Sequence, residues 1–239
     1  MIHTTQLGWT LTPDEFADVW DRLDVDGFPY PIRVERADPD ISRVRKRLRA
    51  ARVLGRADRM DPELETALRM LHTPQMSVDS IWLAEDGSDS PHRVLAARAG
   101  KAAVIATQEP GPSEHAGGDV LIRDLAPTAL AASVVHELPA DRPGRAPGGS
   151  WVGADADRAE ALRDLLAARR LRAGQLGVTA HGTRGPLLFW FDVAGDGRYA
   201  LLRAMGLDGR PWVRLAPADT AVLRELLARI LRQTAGHGG

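Results

Sequence analysis

A chain of 239 residues is long enough to bury roughly 70% of its unfolded surface, and its formal net charge of −1 favours neither nucleic acid nor anionic lipid. Its 44% hydrophobic and 26% charged residues are those of an ordinary globular protein, and the absence of cysteine excludes disulfides, thiol catalysis and thiolate metal sites together. The N-terminal residues Met1 to Trp9 lack a basic start followed by an apolar run, so no signal peptide is expected. No stretch approaches the roughly 18 apolar residues of a membrane span, and the expected compartment is the cytoplasm.

The first helix is announced by Thr12-Pro13-Asp14-Glu15, in which Thr12 caps, Pro13 suits the first turn and Glu15 completes a capping box. Phe16, Val19, Trp20 and Leu23 then share one helical face, and Phe28-Pro-Tyr-Pro31 ends the helix by forcing an extended path. Asp38-Pro39 starts a second helix with Ile41, Val44 and Leu48 inward. Asp61-Pro62 starts a third with Leu64, Leu68 and Leu71 inward. Ser77 to Leu83 reads as a strand, and His92–Arg98 with Lys101–Gln108 as a hairpin around Ala99-Gly100. The Gly- and Pro-rich residues 109–118 are expected to form a mobile loop. A helix is expected near 128–138, carrying Leu130, Val134 and Leu138.

Residues 139–149 read as a Pro/Gly-rich linker. A helix is predicted from about Asp155 to Leu171, with Leu162, Leu165 and Leu166 inward. Strands follow at Gln175–Ala180, Leu187–Val193, Arg198–Ala204 and Trp212–Leu215, with turns at His181-Gly182 and Gly195-Asp-Gly197. A last helix carries Leu223, Leu226, Leu227, Ile230 and Leu231, and the end of the chain is expected to fray.

One block occurs twice in variant form. Lys101–Gln108, Val120–Pro127 and the helix behind them parallel Arg198–Arg203, Pro211–Pro217 and the last helix. The pattern of strand, strand, proline and helix implies two similar halves, about 1–138 and 150–239, joined by the linker. Runs of strands and helices without strict alternation argue for an α+β fold with a mostly antiparallel sheet. Joining the two half-sheets edge to edge would hide strands that otherwise invite aggregation.

The residues that chemistry needs are not grouped. There is no Gly-x-Ser-x-Gly, and Gly148-Gly-Ser-Trp-Val lacks the elbow's second glycine. The seven histidines, at 3, 72, 92, 115, 136, 181 and 237, include no pair at the i, i+4 spacing of a zinc helix. Asp21-Arg-Leu-Asp24-Val-Asp26-Gly27 fails as a calcium loop at Arg22 and at the missing distal glutamate. No phosphate or dinucleotide loop is present. Neither a catalytic residue, a metal nor a cofactor is expected.

The basic run Arg43, Arg45, Lys46, Arg47, Arg49, Arg52, Arg56 and Arg59 could contact phosphates, which makes a nucleic-acid-associated protein the alternative reading. The run has no interleaved aromatic residue to stack bases, and a solvated helix face, or one paired with an acidic neighbour, is the simpler expectation. Lys46 and Lys101 are the only lysines among the 31 basic residues, a skew that reflects genome composition rather than chemistry. Trp82, Trp190 and Trp212 lie on predicted strands, where core packing is the default and anchoring a partner the alternative. Trp151 is expected to be partly exposed.

Several segments, in order along nearly the whole chain, resemble the EspG family of actinobacterial type VII (ESX) secretion proteins. They are Leu11–Phe16, Phe28–Pro31, Arg93–Arg98, Ala103–Ala106, Arg172–Gly177, Gly197–Tyr199 and Pro211–Asp219. The resemblance implies a cytosolic, non-enzymatic chaperone with a quasi-two-fold fold, a central antiparallel sheet flanked by helical bundles. It implies a client too: a PPE-type protein in a PE–PPE heterodimer, or a related helical ESX substrate, covered at its apolar tip and handed to the secretion machinery. The partner surface is expected on the exposed sheet face and the final helical bundle. Trp82, Arg93 and the 86–91 loop would contribute, with Trp212, Arg214, Arg224 and Arg229. A monomer and a homodimer are both compatible with the sequence.

Overall fold

The chain starts, in the computed structural model, with a short edge strand β1 (Gly8–Leu11) that leads into α1 (Pro13–Asp21); the residues described are 8–35, 39–84, 89–152, 160–205 and 209–236. The capping box is present in full: the Glu15 amide donates to Thr12 Oγ1 at 3.4 Å and the Thr12 amide to Glu15 Oε2 at 2.9 Å. Phe16, Val19, Trp20 and Leu23 are all buried, each large apolar side chain contributing about 1.5–3 kcal/mol. α1 stops at Asp21, ahead of the prolines that were expected to end it, and the chain then turns through left-handed conformations at Asp24 and Gly27.

α2 (Ile41–Ala50) is capped by Asp40, whose carboxylate accepts from the Arg43 amide, so the expected start at Asp38-Pro39 falls short of it; Asp38 lies outside the described residues. Val44 and Leu48 are buried as expected, whereas Ile41, on the first turn, is exposed. α3 (Pro62–His72) is capped by Asp61 and buries Leu64, Leu68 and Leu71.

Eleven strands form one sheet in which every strand pairing is antiparallel. At its centre β2 (Met76–Ala84) pairs along its whole length with β7 (Arg170–Ala180). Outward from β2 run β3 (His92–Ala99), β4 (Ala102–Gln108), β5 (Val120–Leu125) and β1. Outward from β7 run β9 (Leu188–Val193), β10 (Gly197–Met205), β11 (Pro211–Pro217) and β6 (Gly149–Val152). β8 (Thr183–Arg184) pairs with the end of β7. The two edge strands and β8, only two to four residues long, were not anticipated from the sequence. Gly100 supplies the positive φ of the β3–β4 turn.

Paired residues in antiparallel strands share a face, so the register sorts the sheet into two sides. On the front of the first half, Leu95, Ala97, Val104, Ala106 and Ile122 pack under α1, α2 and α3. On the back, Val78, Val94, Ala96, Ile105, Val178 and Trp190 form a core shared by both halves beneath α4 (Leu130–His136) and α6 (Thr220–Gly236), which touch each other.

The helix predicted from Asp155 to Leu171 is shorter: α5 spans Glu160–Ala167, and Arg170 and Leu171 already belong to β7. Residues 153–159 lie outside the description. The 109–118 loop, expected to be mobile, makes several hydrogen bonds to the rest of the molecule. Gln108, itself buried, exchanges hydrogen bonds with the Arg33 backbone, and Ser90 Oγ accepts from the Gly111 amide at 2.8 Å.

Candidate functional site

The front of the second half is covered unequally. Leu165 of α5 and Ala168 just after it, together with Ala146 and Trp151, pack on Phe191, Val193, Tyr199 and Leu215 at the outer end. Nearer the centre the strands stay open, and Ile81, Leu83, Ala173, Phe189 and Leu201, with Leu166 of α5 on the wall, bound a cleft of about 370 Å³. Leu83 is 41% and Leu166 37% exposed. Leu171 follows Arg170 of the rim, and the hydroxyl of exposed Tyr30 accepts from Gln175 Nε2 of the lining at 3.1 Å. Of the six exposed large hydrophobic residues described, Leu83 and Leu166 line this cleft, and Tyr30 is hydrogen-bonded to its lining. Contiguous exposed apolar surface of this kind marks an interaction site.

A charged pair joins the strands behind Gln175. Arg184 of β8 is paired with both carboxylate oxygens of Asp79 and lies 5.8 Å from the Tyr30 ring centroid. Its hydrogen bond to Asp79 holds the guanidinium pKa above the usual value. The pair ties β8 to β2, and Tyr30 of the loop after α1 reaches the same strands through Gln175 and Arg184.

The expected partner residues divide into two groups. Trp82 and Arg93 are both largely buried, although Trp82 is also among the residues lining the front cleft. Trp82 is 9% exposed in the back core, stacked on His92 at 3.9 Å and 6.2 Å from Trp190. Arg93 is 2% exposed, donating to the carbonyls of Pro91 at 3.1 Å and Glu114 at 2.5 Å. Burial, with the Arg33 charge second, pushes its guanidinium pKa down. Arg93 pins the 109–118 loop; it does not reach out. Of the 86–91 loop, residues 86–88 lie outside the description. Trp212 and Arg214 of β11 and Arg229 of α6 do come together, around hollows on the back of the sheet that share Arg214, and Arg224 is exposed on the same helix.

Three of the eight residues of the basic run are paired with carboxylates. Arg45 pairs with Asp18 at 3.2 Å, Arg47 with Glu15 at 2.9 Å and Arg49 with Asp58 at 2.7 Å. Its helix ends at Ala50, so Arg52, Arg56 and Arg59 follow in the turn and short 3₁₀ segment beyond it.

Sequence reasoning missed two features. Asp192 is fully buried between Arg198 and Arg172, each at 2.7 Å, and Arg198 also donates to the Pro139 carbonyl at 2.6 Å, fastening the linker to the second half. The signal was present: a hairpin closed by Gly195-Asp-Gly197 sets Asp192 opposite Arg198. The apolar cleft was missed because its residues come from four strands and a helix, none of them unusual alone.

Among the described residues, no group of three or more His, Asp or Glu side chains is arranged to hold a metal, and no helix is long and apolar enough to cross a membrane. A family model described as the EspG family matches residues 12–229, most of the chain. No curated protein matches it.

Proposed function

The chain belongs to the EspG family of ESX secretion-associated chaperones, and from that premise we propose that it shields the apolar helical tip of a PPE-type client, or of a related helical ESX substrate, in the cytoplasm. The observation that carries this reading is the front cleft, where Leu83 and Leu166 stay exposed beside Phe189 and Leu201. A chaperone of this kind needs no reaction; it needs an apolar surface rimmed by polar groups, and Gln175 and Arg170 supply polar groups to the lining. We also read residues 1–138 and 150–239 as repeated halves joined by 139–149, a reading supported by a strand order that runs alike outward from the β2–β7 junction.

The nucleic-acid alternative is weakened where Arg45, Arg47 and Arg49 already have carboxylate partners. Capture of binding proteins by the tagged chain from its own cells, at low and high salt, tests both readings. A helical ESX substrate retained at both salts is the expected result, since apolar contacts are weakly screened. Recovery of nucleic acid alone, released by salt, would overturn the chaperone reading.

A further inference from the structure

The walls of the front cleft differ in how they are held. Ile81, Leu83, Gln175, Phe189 and Leu201 stand on β2, β7, β9 and β10, four strands paired side by side. Leu166 of α5 is the only lining residue, among those described, that no strand holds. The cleft's volume of about 370 Å³ is small for a helical client. One turn of helix with its side chains, about 10 Å wide and 5.4 Å tall, fills roughly 400 Å³. A helical tip therefore enters only if a wall retreats, and a hydrogen-bonded sheet does not.

The seat of α5 is light. Whereas α3 buries Leu64, Ala67, Leu68, Met70 and Leu71, none of the described side chains of α5 is buried. Leu165 is half-buried against the cluster of Phe191 and Tyr199, and Arg163, Asp164, Leu166 and Ala167 are exposed. Eight residues are too few to hold a helix in water without packing, so α5 depends on that seat. Its C-terminal end is tied down. The Ala194 amide donates to the Arg169 carbonyl at 3.0 Å, and Arg170 pairs with Val193 just before a register shift in β7. A helix tied at one end and lightly seated along its length swings about the tied end. Phe191 belongs both to the cleft lining and to the covered cluster, so lifting α5 lengthens the open apolar surface without a break.

We propose that α5 is a hinged lid, which pivots about residues 168–170, lifts from Phe191 to admit the client's helical tip, and closes on it with Leu165 and Leu166. Closed over the free chain, it keeps Phe191, Val193 and Leu215 out of water. The purpose of the lid rests on the chaperone reading; its motion does not, and belongs to the chain alone.

The test uses the full chain by itself, with spin labels on Arg163→Cys of α5 and Thr183→Cys of β8 and their separation read by pulsed electron paramagnetic resonance. Both sites are exposed and the chain has no cysteine of its own, so only these positions take the label. Two separations are expected, one for each lid position, and Leu165→Ser should raise the open-to-closed ratio about fivefold by weakening the seat. Leu83→Asp, on the fixed wall, should leave the ratio unchanged. Circular dichroism confirms that each variant is folded. A single separation, the same in folded Leu165→Ser, would overturn the lid and leave the chaperone reading standing. Two separations whose ratio ignores Leu165→Ser would overturn it as well. A lid that opens as expected in a protein that captures only nucleic acid would instead keep the hinge and remove the client.

Discussion

The front of the sheet is one continuous surface, yet its two halves have opposite fates. Over β3, β4 and β5, three helices seal Leu95, Val104, Ala106 and Ile122 into a core with Phe16, Trp20 and Leu68. Over β7, β9 and β10, the described cover is one eight-residue helix and the 139–149 segment, and apolar residues of the same face line an open cleft. The strands are equally able to support a core in both places. What differs, among the described residues, is how much helix lies over them, so the apolar face that is sealed in the first half is left open in the second.

That contrast can be broken most severely from within. Arg198→Ala would leave Asp192 buried with Arg172 as its remaining partner and free the linker carbonyl of Pro139; a loss of about 3–5 kcal/mol is expected in urea unfolding. Phe16→Ala on the sealed side is expected to cost about 3–5 kcal/mol by opening a cavity beside Trp20, with client capture unchanged while the protein is folded. Gly174→Ala is expected to cost about 1–3 kcal/mol, because a β-carbon there would meet Trp82 Cβ at 2.5 Å and the Ile81 carbonyl at 2.6 Å.

Leu83→Asp reverses the pattern: stability within about 0.5 kcal/mol of wild type, but client affinity lowered at least about tenfold in a binding titration. A Leu83→Asp protein that unfolds, or that binds its client normally, would erase the distinction between sealed and open halves.

The smallest effect concerns pH. The Tyr199 hydroxyl, donating to Asp196 at 2.5 Å, holds that carboxyl below the usual carboxylate range. A lowered folded pKa gives stability that is present above the unfolded value of about 3.9 and lost as pH falls through the folded one. Asp196→Asn should therefore lower stability slightly at neutral pH and flatten its decline below about pH 4, as followed by thermal unfolding.

Much of this fold was legible residue by residue. The capping box at Thr12–Glu15, the Asp61-Pro62 start, the hairpin at Gly100 and the inward faces of α3 and α6 are local signals, set within a few residues by backbone geometry and hydrophobic period. The errors fell where local preference was overruled. Leu166 has the spacing of a core residue but lies on the cleft wall, and Leu171 continues a helical pattern into a strand because β7 gains partners on both sides. Trp82, for which core packing was the default expectation, and Arg93 are both largely buried, since a strand's alternation gives two faces without saying which is covered.

The sequence alone determined the α+β class, the order of the elements, most of their starts and the family to which the chain belongs, because these rest on periodicity, capping and motifs contiguous in the chain. The tertiary structure decided which strand face each helix covers, that Asp192 sits between two arginines, and that Ile81, Leu83, Leu166, Phe189 and Leu201 meet in one open cleft. Those outcomes depend on pairings between residues far apart in the chain, and burial is a property of the assembled layers rather than of any segment within them.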